Sequence, residues 1–485
     1  MNEVRFVDTT LRDGHQSLWA EGMTTGMMLP VAKRIDDAGF EAIELMSSSH
    51  LKKCVRELKE DPWERVRLIA QRITKTPLRL IAGRVNTFEI TPRSVYQLFL
   101  ERMAVNGMRQ ARISDEWNDF SSWQRKVEDA RRVGLEPLVN IIYSVSPKHT
   151  DEYFAERTRQ AATLPLYRLC LKDPGGLLTP ERTRALVPLI SQNSQGIPIE
   201  LHTHSTTGLG TLCCLEAIKL GIKTVNTAIP PLADASSNPS LFSVTRNARA
   251  LGFTPIIDEE SLKAVAEHFT YIAHREGFPI GAPVEYDYAQ YLHQVPGGMV
   301  SNLRHQLRKV GMEAKVEEAL EEATRVRAEF GYPIMVTPLS QFVGSQAAIN
   351  VIVGERYKEV TDQVIQYALG LWGKEGSISM DPDVKEKILG RARARELAKW
   401  EPPEPSIEEV RRKIGGAGVS DDELLLRWLL RKEEIEAMRA AGPPKEYLSA
   451  THPLVTLIEE LTKRKECAQI HFQKPGFSLT LEKTN

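Results

Sequence analysis

Residues 197–204 read Ile-Pro-Ile-Glu-Leu-His-Thr-His, a short β-rich run that closes on two histidines one residue apart. Side chains alternate along a strand, so His202 and His204 share a face. Seven more runs of this kind precede residue 255, at 4–8, 41–45, 78–83, 109–113, 135–143, 166–171 and 223–228. Each is followed by a longer stretch of helical period, the pattern of a parallel α/β sheet. An open doubly wound sheet shares it but would gather its chemistry at one switch point. Here Asp8, Glu44, Arg112 with Asp115, Tyr143, Lys172, the two histidines and Thr227 end or follow many different runs. In a closed barrel all of these positions share one rim. The fold class expected is therefore α/β, a TIM (β/α)8 barrel with a C-terminal, mainly helical domain.

Outward from the barrel, three units are expected: the barrel at 1–258, a helical domain at 259–445 that completes the site, and a tail at 446–485. A proline-rich turn or linker, Glu-Pro-Pro-Glu-Pro-Ser, spans 401–406. The tail reads as a helix at 452–464 followed by an alternating stretch at 468–481, a hairpin. Lys+Arg number 63 against 64 Asp+Glu, a net charge of -1 that offers no basic surface for nucleic acid. The five cysteines are scattered without CxxC spacing, the usage of reduced, structural thiols. No signal peptide and no apolar run of membrane-spanning length are evident, so a cytoplasmic protein without direct membrane insertion is expected. The Pro-Gly-Gly segments at 174–176 and 296–298 read as turns, because neither matches a phosphate-loop pattern.

Two imidazoles on one face can bind one divalent cation, and a carboxylate at the end of the first strand, Asp8, would be a third ligand. A pair of histidines alone is as compatible with a satisfied structural contact. Asp8, the histidine pair and the rim lysine Lys172 together favour a metal. An ammonium would repel the cation. A buried lysine of lowered pKa can instead add CO2 and become an anionic carbamate ligand, and that is the expectation for Lys172.

The stretch 8–17, Asp-Thr-Thr-Leu-Arg-Asp-Gly-His-Gln-Ser, resembles the opening motif of the family that holds pyruvate carboxylase, the oxaloacetate decarboxylase α-subunit and transcarboxylase. Leu171-Lys-Asp-Pro-Gly-Gly-Leu177 is similar to that family's carboxylated-lysine segment, and 200–210 to its histidine segment. The segments Gln294–Leu303 and Val336–Lys358 resemble its C-terminal parts. The resemblance implies a carboxyltransferase of ligase type, moving CO2 between carboxybiotin and an enolisable 2-oxo acid such as pyruvate or oxaloacetate. It implies a metal site of Asp8, carboxylated Lys172, His202 and His204, with zinc expected first and manganese or cobalt as alternatives. Arg12 and Gln16 would hold the substrate and stabilise its enolate, and Ser236 would carry the proton-shuttling hydroxyl.

Two positions depart from the family pattern. Ala82 stands where an arginine binds the substrate carboxylate, with Arg84 two residues on as the substitute substrate-binding residue. The loop 229–234, Ile-Pro-Pro-Leu-Ala-Asp, is unlike the small-residue loop of the family. No biotin-attachment Met-Lys-Met occurs, so biotin is expected on a separate carrier. A biotin carboxyl carrier protein and a biotin carboxylase subunit would be the partners, docked through the tail, with a homodimer inside the larger complex. The rival is a Claisen-type lyase or synthase of the 3-hydroxy-3-methylglutaryl-CoA lyase and isopropylmalate synthase group, which shares the opening motif and the histidine pair.

Overall fold

The structure is a computed structural model that describes residues 2–295, 303–304, 307–308, 311–416, 418–444, 447, 457–458, 461, 469–474 and 476–482. Eight parallel strands form its centre: β1 (Glu3–Asp8), β2 (Ala42–Ser47), β3 (Leu78–Ala82), β4 (Gln110–Ile113), β5 (Glu136–Ile142), β6 (Arg168–Asp173), β7 (Ile199–Thr203) and β8 (Thr224–Thr227). They pair in sequence order and close through β1 with both β8 and β2, so the sheet is a barrel. A two-residue strand, β9 (Thr254–Pro255), pairs with β1 outside the ring. The eight expected runs correspond to the eight barrel strands. The strands are buried on both faces, as in β2, whose six residues are all buried, Glu44 among them.

The outer helices start where local chemistry supplies partners for their free N–H groups. Asp119, Thr150 and Thr179 accept from the first-turn amides of the helices Phe120–Arg132, Asp151–Ala162 and Pro180–Asn193. The helix Pro62–Arg72 adds a proline at its first turn, where a missing N–H costs nothing.

Two apolar cores result. The first joins barrel and outer helices, and it also takes in the helix Glu259–Glu276 and side chains from Val410 to Tyr447. The second gathers helices between Val295 and Leu397, and the barrel contributes one side chain to it, Trp117. The stretch 401–406 carries the chain back to the barrel, where Glu404 accepts from Arg93 N–H and Pro405 C=O from the Ser94 hydroxyl. Strands β10 (Gln469–Lys474) and β11 (Phe477–Glu482) form an antiparallel hairpin. The helix expected at 452–464 falls almost wholly outside the described residues. Among the described residues, no helix is long and apolar enough to cross a membrane.

Candidate active site at the C-terminal rim of the barrel

A cavity of about 480 Å³ opens over the C-terminal ends of the strands. Arg12, Asp13, Gln16, Arg84, Lys172, His204 and Ser236 line it, together with Met335 of the second core and its neighbours Pro338 and Gln341. Residues far apart in sequence thus meet at one rim, as barrel geometry requires.

The carboxylate that joins the two histidines is Asp13, and this corrects the expectation placed on Asp8. His202 Nε2 lies 3.1 Å from Asp13 Oδ2 and His204 Nε2 lies 3.5 Å from Asp13 Oδ1. Asp8 lies outside this trio of cation-binding side chains. Its Oδ1 accepts the Thr10 N–H at 3.2 Å and the Thr10 hydroxyl at 2.5 Å, and the Thr10 oxygen in turn accepts the Ile229 N–H at 2.8 Å. Burial raises the Asp8 carboxyl to about 7 in spite of those bonds. Asp8 is a bracket between β1 and the loop after β8. A single wide helical turn, Thr10–Gly14, then carries Arg12 and Asp13 over the barrel mouth. The signal was present in the sequence, since the opening motif holds two aspartates, but a strand-end rule selects the first.

The histidines are oriented from behind. His204 Nδ1 donates to the Ser236 carbonyl at 2.7 Å. Asn226 donates Nδ2–H to Glu200 at 3.2 Å, and its Oδ1 and the Arg112 guanidinium both stand at His202 Nδ1, at 3.0 and 2.9 Å. Burial lowers the His202 imidazolium pKa to about 3, so the ring is neutral. The two Nε2 atoms then face each other at 3.2 Å beside a carboxylate. Two nitrogens bound at about 2.0–2.1 Å in a tetrahedral site would stand about 3.3 Å apart, so this donor set fits a divalent metal.

Lys172 is the register partner of His202 on the neighbouring strand. Burial first, then Arg12, pulls its ammonium down to about 8. Gly176, at φ +64°, lets the following turn pass against the His204 peptide, where a Cβ would lie 2.8 Å from the carbonyl oxygen.

Below the trio the barrel interior is charged. Arg12 donates Nε–H to Glu44 at 2.9 Å, Nη2–H to Glu44 and Asp13 at 2.6 Å each, and Nη1–H to Gln16 Oε1 at 3.2 Å. Arg112 reaches Glu44 at 2.6 Å and Glu200 at 2.5 Å, and Arg79 reaches Glu200 at 2.8 Å. Burial pushes the Glu44 carboxyl up, but Arg112 and Arg12 outweigh it and hold it at about 2. Sequence reading placed Glu44 and Arg112 on the rim without a task. Their task is to fix Arg12 and the back of His202.

The remaining sequence-expected residues, Gln16, Ser236 and Arg84, line the same cavity. Gln16 Oε1 is taken by Arg12, so its NH2 group is the part left for the cavity. Ser236 donates to the Ser17 carbonyl at 3.0 Å. It follows Asp234 and Ala235, both at positive φ (64° and 50°), a sparsely populated conformation for non-glycine residues. Gly281 N–H and Ala282 C=O clasp this loop, at 2.8 Å to Pro231 and 3.0 Å from Ala235. Arg84 donates to Glu116 at 2.8 Å, while Ala82 is fully buried at the end of β3.

With this geometry in view, similarity to known proteins is informative. Residues 3–268 match an HMGL-like family model and residues 291–467 match a conserved carboxylase domain. A pyruvate carboxylase subunit of Methanocaldococcus jannaschii is 35% identical over 80% of this chain and 68% of its own length. The methylmalonyl-CoA carboxyltransferase 5S subunit of Propionibacterium freudenreichii subsp. shermanii is 32% identical over 79% and 76% respectively. A 2-oxoglutarate carboxylase large subunit of Hydrogenobacter thermophilus is 34% identical over 87% and 66%. The carboxyl transferase domain of Rhizobium etli pyruvate carboxylase, solved with pyruvate, superimposes with a TM-score of 0.80 at 24% identity over 91% of this chain and 77% of that one, a likeness of fold. An HMGL-like barrel joined to a carboxylase domain, with relatives this similar over most of their length, identifies the chain as a member of the carboxyltransferase family of biotin-dependent carboxylases.

Proposed function

We propose that the chain transfers CO2 between carboxybiotin and an enolisable 2-oxo acid, pyruvate or oxaloacetate first among them. The observation that carries this reading is the gathering of Asp13, His202, His204, Lys172, Gln16 and Ser236 around one cavity. Asp13, His202, His204 and a carbamate on Lys172 would hold a divalent cation, zinc by donor type, whose positive field would favour an enolate. A neutral Lys172 amine adds to CO2 and releases a proton, which turns a repelling ammonium into an anionic oxygen donor.

The chain's own groups then divide the work. Gln16 presents its amide hydrogens to the developing enolate oxygen, and Arg12, locked by Glu44, adds fixed positive charge beside it. Ser236 gives its hydroxyl proton to the biotin nitrogen as it takes one from the substrate methyl carbon. The enolate carbon forms the new C–C bond with CO2, and the reverse order decarboxylates a β-carboxylated 2-oxo acid. Arg84 holds the substrate carboxylate in place of an arginine at Ala82.

Biotin arrives on a separate carrier protein. The chain works as a homodimer in a larger cytoplasmic complex with biotin carboxylase, docked through residues 446–485. Removal of residues after 450 should abolish co-purification with those partners while leaving metal content intact.

The direct test is decarboxylation of oxaloacetate by the purified chain, with and without free biotin, beside Lys172→Ala. Biotin-dependent turnover that is absent in the variant is expected. The HMGL-like match over 3–268 also favours a second reading, a Claisen-type lyase. Cleavage of an acyl-CoA without biotin, with no action on oxaloacetate, would establish it instead.

A further inference from the structure

Three cationic side chains other than histidine line the cavity: Arg12, Lys172 and Arg84. Every nitrogen of Arg12 is already engaged by Glu44, Asp13 or Gln16. Lys172 stands beside His202 at the cation-binding trio. Arg84 uses only Nε, on Glu116 at 2.8 Å, and its two outer nitrogens bond to no described residue. Its guanidinium also lies over the ring of Trp372, with Cζ 4.9 Å from the centroid. A guanidinium whose inner edge and one face are held, while its outer fork faces a cavity, is prepared to take a carboxylate in two parallel hydrogen bonds.

The two holders come from different parts of the molecule. Glu116 follows β4 on the barrel, whereas Trp372 is 1% exposed and belongs to the second core. The indole of Trp372 stands edge-on to Phe342 at 5.0 Å and donates to Gln366 at 3.2 Å. Its carbonyl accepts from Trp117 Nε1 at 3.2 Å, and Trp117 is the neighbour of Glu116. A Cβ on Gly376 would overlap the Trp117 indole, so barrel loop and second core meet flush. Glu116 and Trp372 are therefore tied to each other through Trp117.

We propose that Glu116 and Trp372 are positioning residues that hold Arg84 as a pre-set carboxylate fork, so that the second core sets the affinity of the barrel for its anionic substrate. A free arginine loses rotamer freedom when it binds an anion, and one already held loses less. The proposal takes the ligand class, a 2-oxo acid, from the carboxyltransferase reading.

The test compares calorimetric binding of pyruvate with that of its neutral amide, pyruvamide, alongside oxaloacetate kinetics in the presence of free biotin. The wild-type chain should prefer pyruvate, and Arg84→Gln should erase that preference. Trp372→Leu should weaken pyruvate but not pyruvamide, on the order of tenfold, and raise KM much more than it lowers kcat. Trp372→Phe, which restores an aromatic face, should recover most of the loss. Equal loss of both ligands in Trp372→Leu would reduce Trp372 to a packing residue and overturn the proposal. So would unaltered pyruvate binding in Arg84→Gln, or failure of the wild type to bind any 2-oxo acid. If Trp372→Leu does not fold, Trp372→Phe and Arg84→Lys decide, since lysine keeps the charge but not the fork and should weaken pyruvate. Loss of pyruvate preference in Arg84→Gln without biotin-dependent turnover in the wild type would keep the anchor and remove the carboxyltransferase reading.

Discussion

Asp8 and Asp13 differ in what surrounds their carboxylates. Asp8 accepts from Thr10 on Oδ1, and its Oδ2 is buried without a hydrogen-bond partner among the described residues, whereas Asp13 faces two imidazole nitrogens. Asp13→Asn should therefore weaken divalent-metal binding by at least about tenfold, while Asp8→Asn, which keeps an acceptor for Thr10, should retain metal. Elemental analysis after dialysis separates the two, and metal loss in the Asp8 variant alone would reverse the assignment. Glu44 supports a second expectation. It sits fully buried between Arg12 and Arg112, so Glu44→Gln removes one partner of a buried ionic network and should cost about 3–5 kcal/mol. Its folded pKa, about 2, lies below the ordinary 4.5. Its stabilisation is thus complete above about 4.5 and is lost as pH falls toward about 2. The stability gap between wild type and Glu44→Gln, followed by chemical unfolding, should close over that interval.

At the scale of elements, strand ends deliver Lys172 and the histidines, but the turns after the strands do the finer placement. The wide turn Thr10–Gly14 delivers Arg12 and Asp13, and the loop after β8 turns Ser236 toward the cavity. The loop after β4 is a plug, with Trp117 seated in the second core. Gly376→Ala would push a methyl group into that rigid ring, so a loss of about 1–3 kcal/mol is expected, read as a lowered melting temperature. These placements were only partly legible from the sequence. Alternation along β7 forecasts which face His202 and His204 share. No periodicity reports how an irregular turn aims Asp13, because the turn is held by the Asp8–Thr10–Ile229 hydrogen bonds to a distant loop.

For the whole molecule, two cores meet over one cavity, and the four cysteines among the described residues lie deep in the packing. Cys54, Cys170, Cys213 and Cys214 are all buried, and burial pushes the first three up to about 12. A Cys467→Ser chain should therefore give no reaction with a thiol reagent at neutral pH until it is unfolded, when all four should titrate. The sequence by itself determined the barrel, since eight short β-rich runs alternate with stretches of helical period. Of the site residues it suggested, Arg12, Gln16, Arg84, Lys172, His204 and Ser236 line the cavity. Only the tertiary structure decided which aspartate joins the histidines, why Glu44 and Arg112 are charged inside a barrel, and how Trp372 comes to lie on Arg84. Local pattern records which face a side chain takes. Contacts between residues hundreds of positions apart exist only once the barrel has closed and the second core has settled on it.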